Sequence, residues 1–255
     1  MISNFFEIFL LSIIQGVSEF LPVSSSAHLI LISTIYEFEN QSLLLDISLH
    51  LGSLLAILFH FKNDIFTFNK RKKLFYKIII GTTPLIIVGY ILHITDLIYY
   101  LRDIKIIAWS TLIFGILIYI ADQNKFSKKL DKNFSLKSVL IIGFFQVISL
   151  MPGVSRAGIT ITAGRILGFD RTDSAKISFY LSIPALMGAS VLGVKDLFQE
   201  NIEFNFLAVL GVLLSFIFSL MTIKFFLKFI KKFSLSVFVI YRILLSIILF
   251  YIIYS

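Results

Sequence analysis

A carboxylate, three consecutive serines and an imidazole crowd one short stretch, Gln15-Gly16-Val17-Ser18-Glu19-Phe20-Leu21-Pro22-Val23-Ser24-Ser25-Ser26-Ala27-His28. About half a chain away, Gln146-Val147-Ile148-Ser149-Leu150-Met151-Pro152-Gly153-Val154-Ser155-Arg156-Ala157-Gly158-Ile159-Thr160 repeats the plan with a guanidinium. Each runs from Gln through an apolar step to Pro and then to serine. Carboxylate, hydroxyl and imidazole can generate a nucleophile and carry its proton, and a guanidinium fork matches phosphate oxygens. Charge stabilisation, an aligned nucleophile and proton handling are what phosphoryl transfer requires.

Helical geometry groups these residues further. Gln15 and Glu19 are four apart and share a helix face. Pro22 suits a first helical turn and Ser24, Ser25 or Ser26 can cap it. His28 then stacks on the face of Ser24 and Ser25. In the second stretch Pro152-Gly153 breaks the chain and Gly153 allows close backbone approach. Ser155 is the expected cap, Arg156 follows, and Thr160 faces the same way one turn on. A helix start adds backbone N–H groups and a positive dipole end, a seat for phosphate. The candidates for chemistry are Glu19, Ser25, His28 and Arg156. Those for binding are Gln15, Ser24, Ser26, Gly153, Ser155 and Thr160.

The surroundings make these groups costly. The chain has 255 residues, 58% hydrophobic, with a mean hydropathy of +0.94, and reads as an all-α polytopic membrane protein. Ionisable groups inside a membrane point to function by default. His50, His60 and His93 read instead as interhelical hydrogen-bonding residues, and Arg102, Arg171 and Arg242 as side chains snorkelling at a membrane edge. Asp46 is open between structural pairing and support of the site. The absence of cysteine excludes disulfides, thiolate chemistry and cysteine-ligated metals. The first 21 residues lack a basic n-region and a clear cleavage site, so they are expected in the mature protein.

The net charge of +8 comes from Lys and Arg gathered between spans, which indicates topology and not nucleic acid. Basic loops at 62–77, 125–137 and 224–232 belong in the cytoplasm by the positive-inside rule. Glu37, Glu39, Asp96, Asp103, Asp196, Glu200 and Glu203 mark the outer side. Segments near 43–61, 74–94, 104–121, 175–194, 204–223 and 235–254 are full spans. Regions 5–36 and 136–167, broken at the Pro-Ser motifs, are expected to be re-entrant hairpins. All basic loops then fall on one side and both termini lie outside. One membrane domain, 1–255, divides into repeats of about 1–124 and 125–255. Each is a hairpin plus three spans, so the second is inverted. Such repeats also suit a transporter or flippase of an anionic phospholipid, the rival reading.

The two motifs, in this order and at this separation, resemble the undecaprenyl-diphosphate phosphatase family, integral membrane proteins tied to bacitracin resistance. The resemblance covers the whole chain. It implies hydrolysis of a C55 polyprenyl diphosphate to its monophosphate in the bacterial plasma membrane, recycling the lipid carrier for cell-wall synthesis. It further implies a divalent cation, Mg2+ or Ca2+, and a site toward the outer face. Gln15 matches a Glu-or-Gln position and Glu19 the strict carboxylate; Ser25, His28, Ser155, Arg156 and Thr160 match functional positions. Ala27 and Ala157 depart from a usual glycine and a common serine. Ser25 is the expected nucleophile, with Glu19 or His28 taking its proton. Direct attack by His28 is the main variant, and Glu19 could equally hold the cation. The expected partners are the polyprenyl diphosphate lipid and the bilayer, with no nucleic acid and a homodimer left open.

Overall fold

The computed structural model describes residues 2–36, 43–97, 99–123, 126–199 and 205–254. Glu37, Glu39, Lys125, Glu200 and Glu203 lie outside the described residues. The helices are α1 (Ile2–Ser18), α2 (Ser25–Tyr36), α3 (Leu43–His60), α4 (Lys62–Phe66), α5 (Phe68–Ile94), α6 (Ile104–Asp122), α7 (Leu130–Asn133), α8 (Leu136–Val147), α9 (Arg156–Ile166), α10 (Arg171–Gln199), α11 (Phe206–Phe229) and α12 (Ser236–Tyr254). Short 3-10 turns occupy Tyr99–Arg102 and Ile148–Leu150. Among the described residues the only β pairing is one bridge, Lys128 to Phe169.

Six helices are long and apolar enough to cross a membrane: Leu43–His60, Lys72–Ile94, Ile104–Asp122, Arg171–Phe198, Phe206–Phe229 and Ser236–Tyr254. They coincide with the six segments expected from sequence. The pairs α1–α2 and α8–α9 are different. At 1.5 Å per residue, α2, α8 and α9 each reach about 18 Å or less, short of a hydrocarbon core of roughly 30 Å. Each pair folds back at its Pro-Ser stretch. A succession of two short helices and three long ones therefore occurs twice, with α4 and α7 as small additions.

The basic stretches are more helical than expected. Residues 62–77 are taken up by α4 and the start of α5, and Lys224 and Lys228 lie in the last turns of α11. Lysine is a good helix former, and neither Gly nor Pro interrupts these segments, so the spans run on past their apolar part. Side-chain contacts gather the basic stretches at one end of the bundle. Lys77 donates to the Phe134 carbonyl and Lys129 pairs with Asp170. Buried Asp122 accepts from Arg171 (2.7 Å) and from the Leu235 amide (3.0 Å), with Arg165 at 3.2 Å. The α5–α6 connection, with Arg102, lies at the opposite end.

Close helix approach relies on small residues, as expected where lipid competes equally well for apolar contact. A side chain at Gly143 would strike the Gly81 carbonyl, so α8 and α5 meet backbone to backbone. Gly16 and Gly52 seat α1 and α3 against α11 in the same way. The first bend is pinned by Phe20, which is fully buried and edge-on to Phe179 of α10 at 5.5 Å. Phe179 continues to Phe226 and Phe238. Such ring pairs each contribute about 0.5–1.5 kcal/mol beyond area burial, and this chain of rings fixes the residue next to Glu19.

Candidate active site

The two bends meet, and they interlock. Ser24 Oγ accepts from the Gly153 amide (3.2 Å), and Ser155 Oγ donates to the Leu21 carbonyl (3.4 Å). Each bend therefore supplies a serine hydroxyl to the backbone of the other. Both serines have positive φ, 77° at Ser24 and 69° at Ser155, and each immediately precedes the second helix of its hairpin. Such a conformation costs a non-glycine residue about 1–3 kcal/mol. Here the cross-links and the Ser155 cap on Gly158 (3.1 Å) hold it in place. Gly153, at φ 92°, has no room for a side chain, since a Cβ would lie 2.7 Å from the Ile107 carbonyl.

Arg242 of α12 clamps this junction. Its fully buried guanidinium donates to the carbonyls of Thr111 (3.1 Å), Pro22 (3.3 Å), Val154 (3.1 Å), Ser110 (3.5 Å) and Gly153 (2.8 Å). These acceptors come from both bends and from α6. The snorkelling expected of Arg242 is therefore overturned. The helix turns it inward, where bent backbone leaves carbonyls without helical partners and a five-donor fork can satisfy them.

Beside the junction lies a cavity of about 440 Å³ lined by Glu19, Ser24, Ser25, Ser26, Ser155 and Arg156 from the bends, by Asp46 and His50 of α3, and by Arg102. Glu19 organises it. Its Oε2 accepts from Ser25 Oγ (2.8 Å) and Gln15 Nε2 (2.9 Å), and its Oε1 from Arg156 Nη2 (2.6 Å). Side-chain exposure is 7% for Glu19 and 13% for Arg156, so this ion pair is largely shielded from solvent. The Arg156 fork uses one nitrogen on Glu19; its others have no protein partner among the described residues. The first residues of α2 and α9 both face the cavity, so two helix N-termini add their positive ends there.

Four expected site residues stand outside the cavity wall, among them Gln15, which is fully buried and reaches the site only through its bond to Glu19. His28 does not line the cavity. Its Nδ1 lies 2.6 Å from the Ser24 carbonyl, its Nε2 contacts the Tyr241 hydroxyl, and its ring stacks on Tyr241 at 5.6 Å. A carbonyl only accepts, so Nδ1 carries the proton and the Nε2 lone pair is occupied by the tyrosine. Helical spacing brings His28 near Ser25 in register, but the ring turns toward α12. Thr160 is fully buried, donates to the Arg156 carbonyl (2.7 Å) and shares a hydroxyl–hydroxyl bond with Ser178 of α10 (2.7 Å). Gly153 sits in the junction and not in the cavity wall. Conversely, His50 and Asp46 do line it, where His50 was expected to bond only between helices. Two of the chain's four prolines, Pro84 and Pro184, were an unused signal. Pro152 lines the cavity, and Pro22, Pro84 and Pro184 each lie within two residues of a lining side chain.

His28→Asn is expected to keep turnover within about tenfold of wild type, a barrier change near 1.4 kcal/mol. The thermal midpoint should fall slightly, because two hydrogen bonds, one part-buried and one exposed, are weakened. Tyr241→Phe should behave alike. A loss in His28→Asn as deep as in a Glu19 variant, measured as phosphate release, would return the imidazole to the chemistry.

The family model for bacitracin resistance protein BacA matches residues 8–248. The chain belongs to the BacA family. An undecaprenyl-diphosphatase of Pelagibacter ubique (strain HTCC1062) is 55% identical over 256 residues, covering all of both chains. One from Elusimicrobium minutum (strain Pei191) is 41% identical, covering 94% of this chain and 95% of its own. One from Aliivibrio salmonicida (strain LFI1238) is 40% identical, covering 95% and 96%. The BacA match includes both bends, the Glu19–Arg156 pair and Arg242. It also agrees with the multi-pass membrane architecture.

No group of three or more potential metal ligands assembles among the described residues. Both oxygens of Glu19 are already engaged. The cavity is therefore not a closed protein cage for a divalent cation.

Proposed function

We propose that this chain hydrolyses undecaprenyl diphosphate to the monophosphate and inorganic phosphate. The observation that carries the reading is Glu19 holding Ser25 and Arg156 at once, at 2.8 and 2.6 Å. A nucleophile, its proton acceptor and a charge stabiliser are thereby assembled before substrate arrives, and preorganisation of this kind is the largest source of catalysis in phosphoryl transfer.

Ser25 Oγ attacks the terminal phosphorus while its proton passes to Glu19 Oε2. The bond from phosphorus to the bridging oxygen breaks, and prenyl monophosphate leaves with that oxygen. The free donors of Arg156 and the N-termini of α2 and α9 hold the charge spreading over the transferred group. Water then attacks the phosphoserine, and Glu19 returns the proton to Ser25 as inorganic phosphate departs. Gln15 orients Glu19; Ser24, Ser26 and Ser155 shape the rim of the phosphate seat.

A Mg2+ or Ca2+ ion would travel on the diphosphate, since hard ions keep water and substrate oxygens and need only one or two carboxylates. Asp46 or Glu19 would supply that carboxylate, and the ion would neutralise phosphate charge. Chelation is expected to abolish turnover, restored by added Mg2+ or Ca2+, without shifting helix content or thermal midpoint. A large drop in midpoint on chelation would mean a structural cage.

The clustering of basic stretches at one end supports an orientation with that end in the cytoplasm of a bacterial inner membrane. The cavity, with Arg102 on its wall, then opens outward and both termini lie outside. The helix pairings support two inverted repeats within one domain: α1 and α3 pack on α11 as α8 and α10 pack on α5, while α3 meets α10 and α6 meets α12. The product re-enters use as the carrier for cell-wall precursors.

The test is release of inorganic phosphate from polyprenyl diphosphate by purified full chain in detergent, with no gradient present. Turnover by wild type and none by Ser25→Ala is the expected result. Lipid binding without phosphate release would overturn the reading.

A further inference from the structure

The reaction above has two halves, and Glu19 serves only one well. In the first it takes the serine proton; in the second it must give that proton back to Ser25. The attacking water then needs a different base. Both oxygens of Glu19 also already accept from Arg156, Gln15 and Ser25. Each such bond stabilises the anion.

His50 lines the same cavity as Glu19, Ser25 and Arg156. Its Nδ1 lies 2.8 Å from the Asp46 carbonyl. The carbonyl accepts only, so Nδ1 carries the ring proton and Nε2 holds an open lone pair. No protein group among the described residues bonds that Nε2. The backbone of α3 therefore fixes both the tautomer and the aim of the ring. His28 is the contrary case, with both nitrogens occupied and its ring turned toward Tyr241.

We propose that His50 is the base of the second half-reaction, an assignment that rests on Ser25 as nucleophile. Its Nε2 takes a proton from water as the water oxygen bonds to the phosphoserine phosphorus. The bond from phosphorus to Ser25 Oγ breaks, and Glu19 delivers its stored proton to that oxygen. Inorganic phosphate leaves, and the imidazolium loses its proton to solvent through the open cavity. No other reactant is required.

The experiment uses polyprenyl diphosphate radiolabelled on its terminal phosphate, with purified full-length wild type, His50→Gln and Ser25→Ala. His50→Gln should release a burst of prenyl monophosphate equal to the enzyme present and retain label on Ser25. Its steady turnover should then fall roughly 10²–10⁴-fold, the usual contribution of a positioned base. A smaller variant, His50→Ala, should discharge the label faster when imidazole is added, which a merely structural role would not produce. Wild-type turnover in His50→Gln overturns the proposal. So does lost turnover without accumulated label while wild type still labels Ser25. Undiminished turnover in Ser25→Ala defeats the nucleophile assignment itself, and the role of His50 with it.

Discussion

Arg156→Ala is expected to cut phosphate release by roughly 10³–10⁵-fold, the range spanned by arginines that stabilise phosphoryl transfer. Two losses combine. The developing charge on the transferred group loses its guanidinium, and Glu19 loses the donor that shares its carboxylate with Ser25. An ion pair so shielded also leaves an uncompensated charge when one partner goes, costing about 3–5 kcal/mol in buried examples. The Glu19 side chain then gains protons or rotates toward solvent, and Ser25 loses its acceptor. Arg156→Lys should recover little, because an ammonium cannot contact Glu19 and phosphate through separate prongs of one plane. Glu19→Gln should lose roughly 10²–10⁴-fold by removing the proton acceptor. The double variant should be scarcely worse than Arg156→Ala alone, since both residues act through one arrangement. Turnover of the double variant at the product of the single losses would mean that the pair does not work as a unit.

The second large effect belongs to a residue that never meets substrate. Arg242→Met removes the donor from five carbonyls at the junction of the bends. Each buried acceptor left unsatisfied costs about 1–3 kcal/mol, so little folded protein is expected. Arg242→Lys is the more informative change. It keeps a cation but cannot reach two bends and α6 together. The protein should fold with a lowered thermal midpoint and turn over roughly 10²-fold more slowly, the penalty for misplacing reacting groups by about 1 Å. The apparent affinity for substrate should change far less than kcat. Normal kcat in Arg242→Lys would show that the bends hold their places without the clamp.

Much of the architecture was legible because membrane spans announce themselves by length and apolar content. The six spans and both hairpin breaks fall where hydropathy and the Pro-Ser stretches place them. The Glu19–Arg156 pairing was legible too, since two costly charges in two matching motifs have few places to go. Orientation around a helix axis was harder to read. In α12 only Ser246, one turn on, shares the face of Arg242, and a single serine is too weak a mark to show which way the helix turns. The same uncertainty hid the choice between two histidines. His28 shares the register of Ser25, yet rotation of α2 directs it to Tyr241. His50 sits in an apolar span without a motif, and only the packing of α3 brings it to the cavity. Pro84 and Pro184 carried usable information, because each removes a backbone donor inside a continuous apolar helix, next to a cavity-lining residue.

The interlocked serines have a consequence for traffic through the protein. A lipid head group moving from the cavity to the basic end would have to separate Ser24 from Gly153 and Ser155 from Leu21. It would also have to strip Arg242 from its carbonyls, exposing bent backbone to hydrocarbon. The closed seam acts as a floor beneath the phosphate seat. Passage of the head group by this route would require the two bends to part.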